Sequence, residues 1–393
     1  MKKNFTLLAF LLCSVIGLAQ IPVGYYNTAT GSGYTLKTQL FNQGVFWKDT
    51  AIAGGGGMAA VKVLKTKILM GDAPDVAQII GPTLNEWSDM GVVLPLNRVL
   101  EKNKLETTIS TTVLDLITYK NKVIAAPLGV HRINSMLYNK AVLDKLNLAP
   151  PTTWADIEII HQRLKGSGVQ TIAWSDEPWQ INTAFEAILL SEAGAPAYLD
   201  LMQMRQEKDW LQPPVLQALH RLQWMRSLSS TQSKPSEKTW GSNTRDLAEG
   251  KVALLLMGDW AKGELMSWGY VPNQDFGCIP VPGTSKAHLY SIDTLALLIG
   301  NQSNSEVQEK FVETVTGLTA QLNYNKVKGS VPVRRDIDNK TLDVCAKDSW
   351  DNFNNPKIIK VPSLAHRMVA DEATKDAIAY TLWRSLTAEK INL

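Results

Sequence analysis

The sequence has little of what marks a metal or catalytic centre. Its 393 residues include 5 histidines, at 131, 161, 220, 288 and 366, and no two stand at the i, i+4 spacing of helix-borne metal ligands. There is no HExxH, no GxSxG elbow and no CxxC pair. A zinc hydrolase, an α/β-hydrolase nucleophile and a structural zinc site therefore lose their usual signatures. The glycine run at 54–57 is followed by neither Lys-Ser/Thr nor a third glycine at dinucleotide spacing. It reads as a flexible turn entering a helix, not as a phosphate cradle. Nothing marks a catalytic carboxylate pair. The expectation is a protein that is not an enzyme and that uses no metal or cofactor.

Charge of one sign is missing too. With 40 Lys+Arg against 37 Asp+Glu the formal net charge is +3, and no basic run reaches five residues. A dedicated nucleic-acid surface is excluded, since steering of a polyanion would have to be purely local. Long apolar runs are confined to the N-terminus. Lys2 and Lys3 precede an apolar stretch at 5–18, and Gly17 and Ala19 hold the small-residue positions before a cleavage site. Residues 1–19 thus read as a secretory signal peptide that leaves Gln20 as the mature N-terminus. The stretch is short for a ~20-residue membrane span. Leu11 and Leu12 precede Cys13, where a lipoprotein would have small residues. Removing Lys2 and Lys3 lowers the net charge from +3 to +1, and removing Cys13 leaves Cys278 and Cys345. In an oxidising compartment these two form one disulfide or remain two buried thiols, and both readings stay open.

What is abundant is tryptophan, 12 residues against 10 Tyr and 8 Phe. The length suits two lobes better than one. Short β-type runs alternate with amphipathic helices, an α/β pattern. Strands are expected at 121–128, 134–138, 251–257 and 294–299. Helices are expected at 140–146, from Trp154 with Thr153 as N-cap, from Pro213-Pro214, at 305–318 and over the last 20 or so residues. Trp87, Trp154, Trp224 and Trp383 sit at helical positions and read as core. The remaining chemistry suits recognition. A neutral sugar needs hydrogen-bond partners for its hydroxyls and a flat apolar plate for its C–H faces, and Trp is the largest plate available.

The order of certain stretches is informative. WKDTAIAGGGG (47–57), GDAPDVAQ (71–78), YNKAVLDKLNLAPPTTW (138–154), EPWQ (177–180), MGDWAKGEL (257–265), CIPVPGT (278–284), KGSVPVR (328–334) and PSLAH (362–366) occur in sequence. From about Trp47 onward the chain resembles extracellular solute-binding proteins of ABC sugar importers, in particular those that bind glucose-like monosaccharides. The resemblance implies a two-lobed periplasmic-binding-protein fold of type II with discontinuous lobes. These would be 20–128 and 282–325 for the first lobe and 129–281 and 326–393 for the second. Hinge crossings would fall near 127–131, 279–283 and 324–328. It implies a periplasmic or extracellular, monomeric protein whose partners are a monosaccharide and an ABC permease. Position by position, it implies that Gln78 and Asp293 bind hydroxyls from one lobe. Trp240 and Trp260 would stack on the sugar, Lys328 would donate and His366 would donate or accept, all from the other lobe. His131 would line the cleft. Without the motifs, Trp260 would read as core, Asp293 as a loop carboxylate capping a backbone amide, Lys328 as a solvated charge and His366 as a satisfied helix-start histidine.

Three positions depart from that pattern. Ile80 stands where the family has Lys or another polar residue, and Ser135 where it often has Trp. The opening segment at 21–40 carries Tyr25-Tyr26 in place of a Trp-Trp loop with a Glu, so these tyrosines are the candidate plates there. Residues 1–40 instead resemble the start of secreted endonuclease I-type nucleases, although none of that family's His-bearing core follows. A genuine fusion and an artefact of sequence assembly both fit, as does a binding-impaired relic. A secreted nuclease or hydrolase is the alternative that this segment alone suggests. Loss of one charge-assisted hydrogen bond costs roughly 1.5–3 kcal/mol, about tenfold to hundredfold in affinity. Weakened glucose binding is therefore expected. Calorimetric titration with monosaccharides checks it: affinity poorer than micromolar is expected, and micromolar or tighter binding contradicts it.

Overall fold

The computed structural model describes residues 20–24, 32–49, 58–203, 211–229, 234–299 and 305–387. The signal-peptide stretch, Tyr25, Tyr26 and the glycine run lie outside these. Two sheets organise the chain. The first contains β1 (Gln20–Gly24), β2 (Phe46–Asp49), β3 (Val76–Gln78), β6 (Ala126–Arg132), β11 (Ala287–Leu297) and β12 (Ile359–Pro362). The second has the order β10 (Phe276–Pro280), β7 (Ser135–Asn139), β9 (Val252–Leu256), β8 (Gln170–Ile172). A small ribbon joins β4 (Thr118–Tyr119) to β5 (Lys122–Val123).

The N-terminal segment is part of the first sheet. β1 runs parallel to β2 on one side and to β3 on the other, with Val23 opposite both Asp49 and Val76. The following helix, Ser32–Asn42, buries Leu36 and Leu40 in the first core. Residues that only the nuclease-like resemblance touched therefore complete the sheet.

Each sheet has its own core. Val76, Trp87, Leu128, Ile292, Phe311 and Tyr324 belong to the first. Met136, Ile157, Ile188, Leu222 and Leu254 belong to the second, and a smaller cluster around Leu137, Leu255 and Leu265 adjoins it. The expected two-lobed α/β architecture follows from this separation. The chain changes core between Val130 and Ile133, and again between Leu289 and Tyr290. β6 and β11 are the strands on which it crosses, paired antiparallel from Tyr290↔Arg132 to Leu295↔Ala126. Two stretches pack in the core opposite to the lobe that the resemblance implies, the first being Ala287 and Leu289, which lie in the second core within the expected first-lobe stretch 282–325. Val331, Val333, Ala346 and Phe353 pack in the first core, whereas the resemblance put 326–393 in the second lobe. These apolar side chains bury against the first lobe's layers, whereas Val361 and Leu382, with the partly buried Ile378, Trp383 and Leu386, join the second core.

Local signals account for several elements. VALLL in β9 is buried at every position, as a strand covered on both faces requires. Thr153 caps the helix Trp154–Leu164 in a capping box with Asp156. β11 is longer than the expected 294–299 strand because His288, Ser291 and Asp293 are buried within it. Of the tryptophans read as core, Trp87 is fully buried, and Trp154, Trp224 and Trp383 pack half-buried against the second core.

Cys278 and Cys345 are joined in a disulfide with a Cα–Cα separation of 5.6 Å. The bridge fastens β10, the edge of the second sheet, to the helix Val344–Asn354, whose Ala346 and Phe353 pack in the first core. No described helix is long and apolar enough to cross a membrane.

Candidate functional site

The crossing strands bring a buried charge cluster together. His131 on β6 points Nδ1 at Asp259 Oδ1, 2.5 Å away, and Nε2 at Asp293 Oδ2, 3.3 Å away. The other oxygen of Asp259 accepts the backbone N–H of Arg132 at 2.9 Å. Asp293 Oδ2 also accepts from the Tyr324 hydroxyl at 3.2 Å and lies 3.6 Å from Lys328 Nζ. All four charged side chains are buried. A register irregularity in the β6–β11 ladder lies between Asp293 and Thr294, a place where strands commonly re-aim a side chain.

Charge follows from these contacts. Burial alone would push the His131 imidazole down, but the Asp259 and Asp293 carboxylates overcome it and hold it at about 9. Burial raises the Asp293 carboxyl, and Lys328 and His131 more than offset this, leaving it well below the usual carboxylate range. Burial pulls the Lys328 ammonium below its ordinary value against the pull of Asp293 and Asp259. At neutral pH His131 is therefore an imidazolium between two carboxylates.

Close backbone packing sets the cluster. Lys328 ends the helix Leu318–Lys328, and Gly329 follows at φ 91°. A Cβ at Gly329 would stand 2.2 Å from the carbonyl oxygen of Asp259, so glycine alone permits this approach. Asp259 opens the helix Trp260–Ser267, yet its side chain serves His131 and not the helix end. Trp260 lies against both histidines, with ring centroids 5.6 Å from His131 and 5.1 Å from His366. Gly258 makes room for the indole, because a Cβ there would meet the ring at 2.1 Å.

His366 sits in the turn after β12. Its Nε2 is 3.1 Å from Thr183 Oγ1 on the long helix Pro178–Gln203. Burial pushes the ring down to about 3, and positive His131, Arg367 and Lys375 act in the same direction. The same helix presents Trp179, whose ring is 6.4 Å from Trp260. It also presents Glu186, whose carboxylate accepts from Ser363, Tyr198 and the backbone of Leu364 and Ala365. Burial lifts Glu186 to about 7 despite those donors.

Of the expected site residues, His131, Asp293, Lys328, Trp260 and His366 form one connected group. Gln78 ends β3, opposite Leu295 and two positions along β11 from Asp293, with its side chain partly exposed. Trp240 starts the helix Trp240–Ala248 and packs on the small cluster that also carries Trp179 and Trp260. Lys328 is carried by a helix whose Ala320 and Tyr324 lie in the first core. Tyr25 and Tyr26 fall outside the described residues. Ile80, the first departure, is buried in the first core. Ser135, the second, faces a small cavity with Arg132, Asp259 and Lys262. Sequence reasoning assigned no role to Asp259, Trp179, Thr183, Glu186 or Tyr324. Asp259 and Trp179 stood inside quoted motifs; the other three carried no local signal. Among the described residues no set of three or more His, Cys, Asp or Glu is arranged to hold a metal ion.

The sequence profile of the bacterial extracellular solute-binding protein family matches residues 37–321. A probable sugar-binding periplasmic protein of Brucella melitensis biotype 1 is 31% identical over 359 residues, covering 90% of this chain and 84% of the relative. Among solved structures, a chitin oligosaccharide binding protein superposes with a TM-score of 0.76 at 15% identity, over 94% of both chains. The bacterial solute receptor AcbH, described as preferring β-D-galactopyranose exclusively, gives a TM-score of 0.72 at 15% identity, over 94% of this chain and 98% of that one. The fold is that of the two-lobed type II periplasmic-binding proteins.

The His131 charge has a consequence for stability. A histidine raised from 6.5 to about 9 contributes stability that is full below about pH 6.5 and lost as pH rises through about 9. Asp259→Asn breaks a buried pair, which costs on the order of 3 kcal/mol, and flattens that decline. Thermal melts of both proteins across pH 6 to 10 check this; parallel profiles would contradict it.

Proposed function

The chain belongs to the bacterial extracellular solute-binding protein family, and from that membership we propose that it captures a sugar between its lobes and presents it to an ABC permease. The observation that carries the reading is the juxtaposition of a half-buried indole, Trp260, with the buried polar groups of His131, Asp293 and Lys328 and the half-buried ring of His366. An apolar plate beside satisfied hydrogen-bonding groups matches a neutral sugar, which has both kinds of surface. Trp179 and Trp240 flank the same cluster and extend the apolar wall. That the Brucella melitensis relative is a probable periplasmic protein supports a periplasmic location.

The action is capture. Ligand contacts from both lobes favour the closed state, because only differential affinity shifts an open–closed equilibrium. Gln78 and Asp293 serve the ligand from the first lobe and Trp260 from the second, and the chain works as a monomer. The ligand we favour is a monosaccharide, glucose-like in its hydroxyls. Support comes from how small the polar group is: Asp293 lies 3.3 Å from His131 and 3.6 Å from Lys328, within the reach of one pyranose ring. The placement of β1 between β2 and β3 favours this reading over a nuclease, since the nuclease-like segment serves the binding fold.

A thermal-shift panel of glucose, galactose, xylose, maltose and chitobiose tests the proposal. A ligand that binds only the folded chain must stabilise it, by about 2.7 kcal/mol at a hundredfold excess over Kd. One monosaccharide is expected to raise the melting temperature, and Trp260→Ala to remove the shift. Stabilisation by disaccharides alone would overturn the monosaccharide assignment; no stabilisation by any sugar would overturn sugar capture.

A further inference from the structure

The 177–180 motif has no part in the proposed hydrogen bonding, yet the helix it opens controls His366. Trp179, Thr183 and Glu186 stand at i, i+4 and i+7 on that helix and so share a face. Thr183 is buried, and its hydroxyl donates to the carbonyl oxygen of Trp179 at 2.9 Å. A hydroxyl has one hydrogen. With that hydrogen committed to Trp179, Thr183 Oγ1 can only accept from His366 Nε2, 3.1 Å away.

We propose that Thr183 fixes His366 as its Nε2–H tautomer, so that Nδ1 meets the ligand as an acceptor only and selects a hydroxyl that donates. Thr183 is a positioning residue in this scheme, acting on the ligand through His366. The neutral state of the ring agrees with its burial and with its positive neighbours His131, Arg367 and Lys375. The position of the ring is set from the same helix. Glu186 accepts from the Ser363 hydroxyl at 2.6 Å, and the oxygen of that hydroxyl accepts the backbone N–H of His366 at 3.0 Å. Helix, turn and ring are thereby coupled through a continuous set of hydrogen bonds.

The consequence is chemical. The residue that the family resemblance allowed to donate or accept is restricted to accepting. Together with Asp293 it gives the site two acceptors. A sugar in which the facing hydroxyl is replaced by hydrogen, by fluorine or by a methyl ether offers no proton to His366. Fluorine, which retains weak accepting power, gives no relief. Only the identity of the ligand rests on the sugar-capture reading; the tautomer does not.

Long-range proton–nitrogen NMR of the full chain, labelled with nitrogen-15 and free of ligand, tests the tautomer directly. At pH 7 His366 is expected to show a protonated Nε2 and a bare Nδ1. Thr183→Ser is expected to retain this pattern and Thr183→Val to lose it. A protonated Nδ1 in the native chain, or an unchanged pattern in Thr183→Val, would overturn the proposal whether or not any sugar binds. Calorimetry with D-glucose and its monodeoxy and monofluoro analogues tests the ligand side. At one ring position both analogues are expected to bind about tenfold or more weaker to the same extent. Fluoro analogues that all bind as D-glucose does would overturn the acceptor role. Absence of D-glucose binding would count against glucose capture and leave the decision on the tautomer to the NMR result.

Discussion

The structure depends on an imidazolium held between two carboxylates. His131 stands on β6 where the chain passes from the first core to the second. Asp293 stands on β11 within the first lobe's reach, and Asp259 follows β9 of the second lobe. One ring therefore ties the two sheets at the point where they meet. Burying any of these charges alone would be costly; together they offset one another and fill their remaining hydrogen-bonding capacity with Tyr324, Lys328 and the Arg132 amide. Such a cluster adds little net stability compared with apolar packing, but it fixes orientation. Orientation is what a sugar site needs.

Trp260 and His366 complete the site because they pack on that fixed ring. The indole leans on His131 on one side and His366 on the other. His366 is held from behind by Thr183 and Glu186. The disulfide adds a covalent tie nearby, between the edge of the second sheet and a helix of the first core. The departures from the family pattern fit the packing around them. Ile80 joins the first core, and Ser135 turns to a small cavity behind Asp259.

Much of the fold was legible because it rests on local pattern. The VALLL run announced β9, Thr153 with Asp156 announced a helix start, and Pro213-Pro214 opened another. The full length of β11 was not legible, since His288, Ser291 and Asp293 break the apolar run and their burial depends on distant partners. The membership of Val331 through Phe353 in the first core was equally hidden: periodicity marks a buried face but not the sheet it meets. In the candidate site, the family's motifs pointed to Trp260, Asp293, Lys328 and His366, which lie together in the structure. Asp259 went without a role although it precedes Trp260, because its partner His131 is 128 positions away. Thr183 and His366 are 183 positions apart, and no spacing rule connects them.

The most direct measurement is the NMR titration of His131 in the full, ligand-free chain. His131 is expected to be protonated on both ring nitrogens at pH 7.5 and to lose its proton near pH 9, where the two carboxylates hold it. A His131 that is neutral at pH 7.5 and titrates near the ordinary value of 6.5 would contradict the buried ion cluster, and with it the arrangement on which the rest of the site is built.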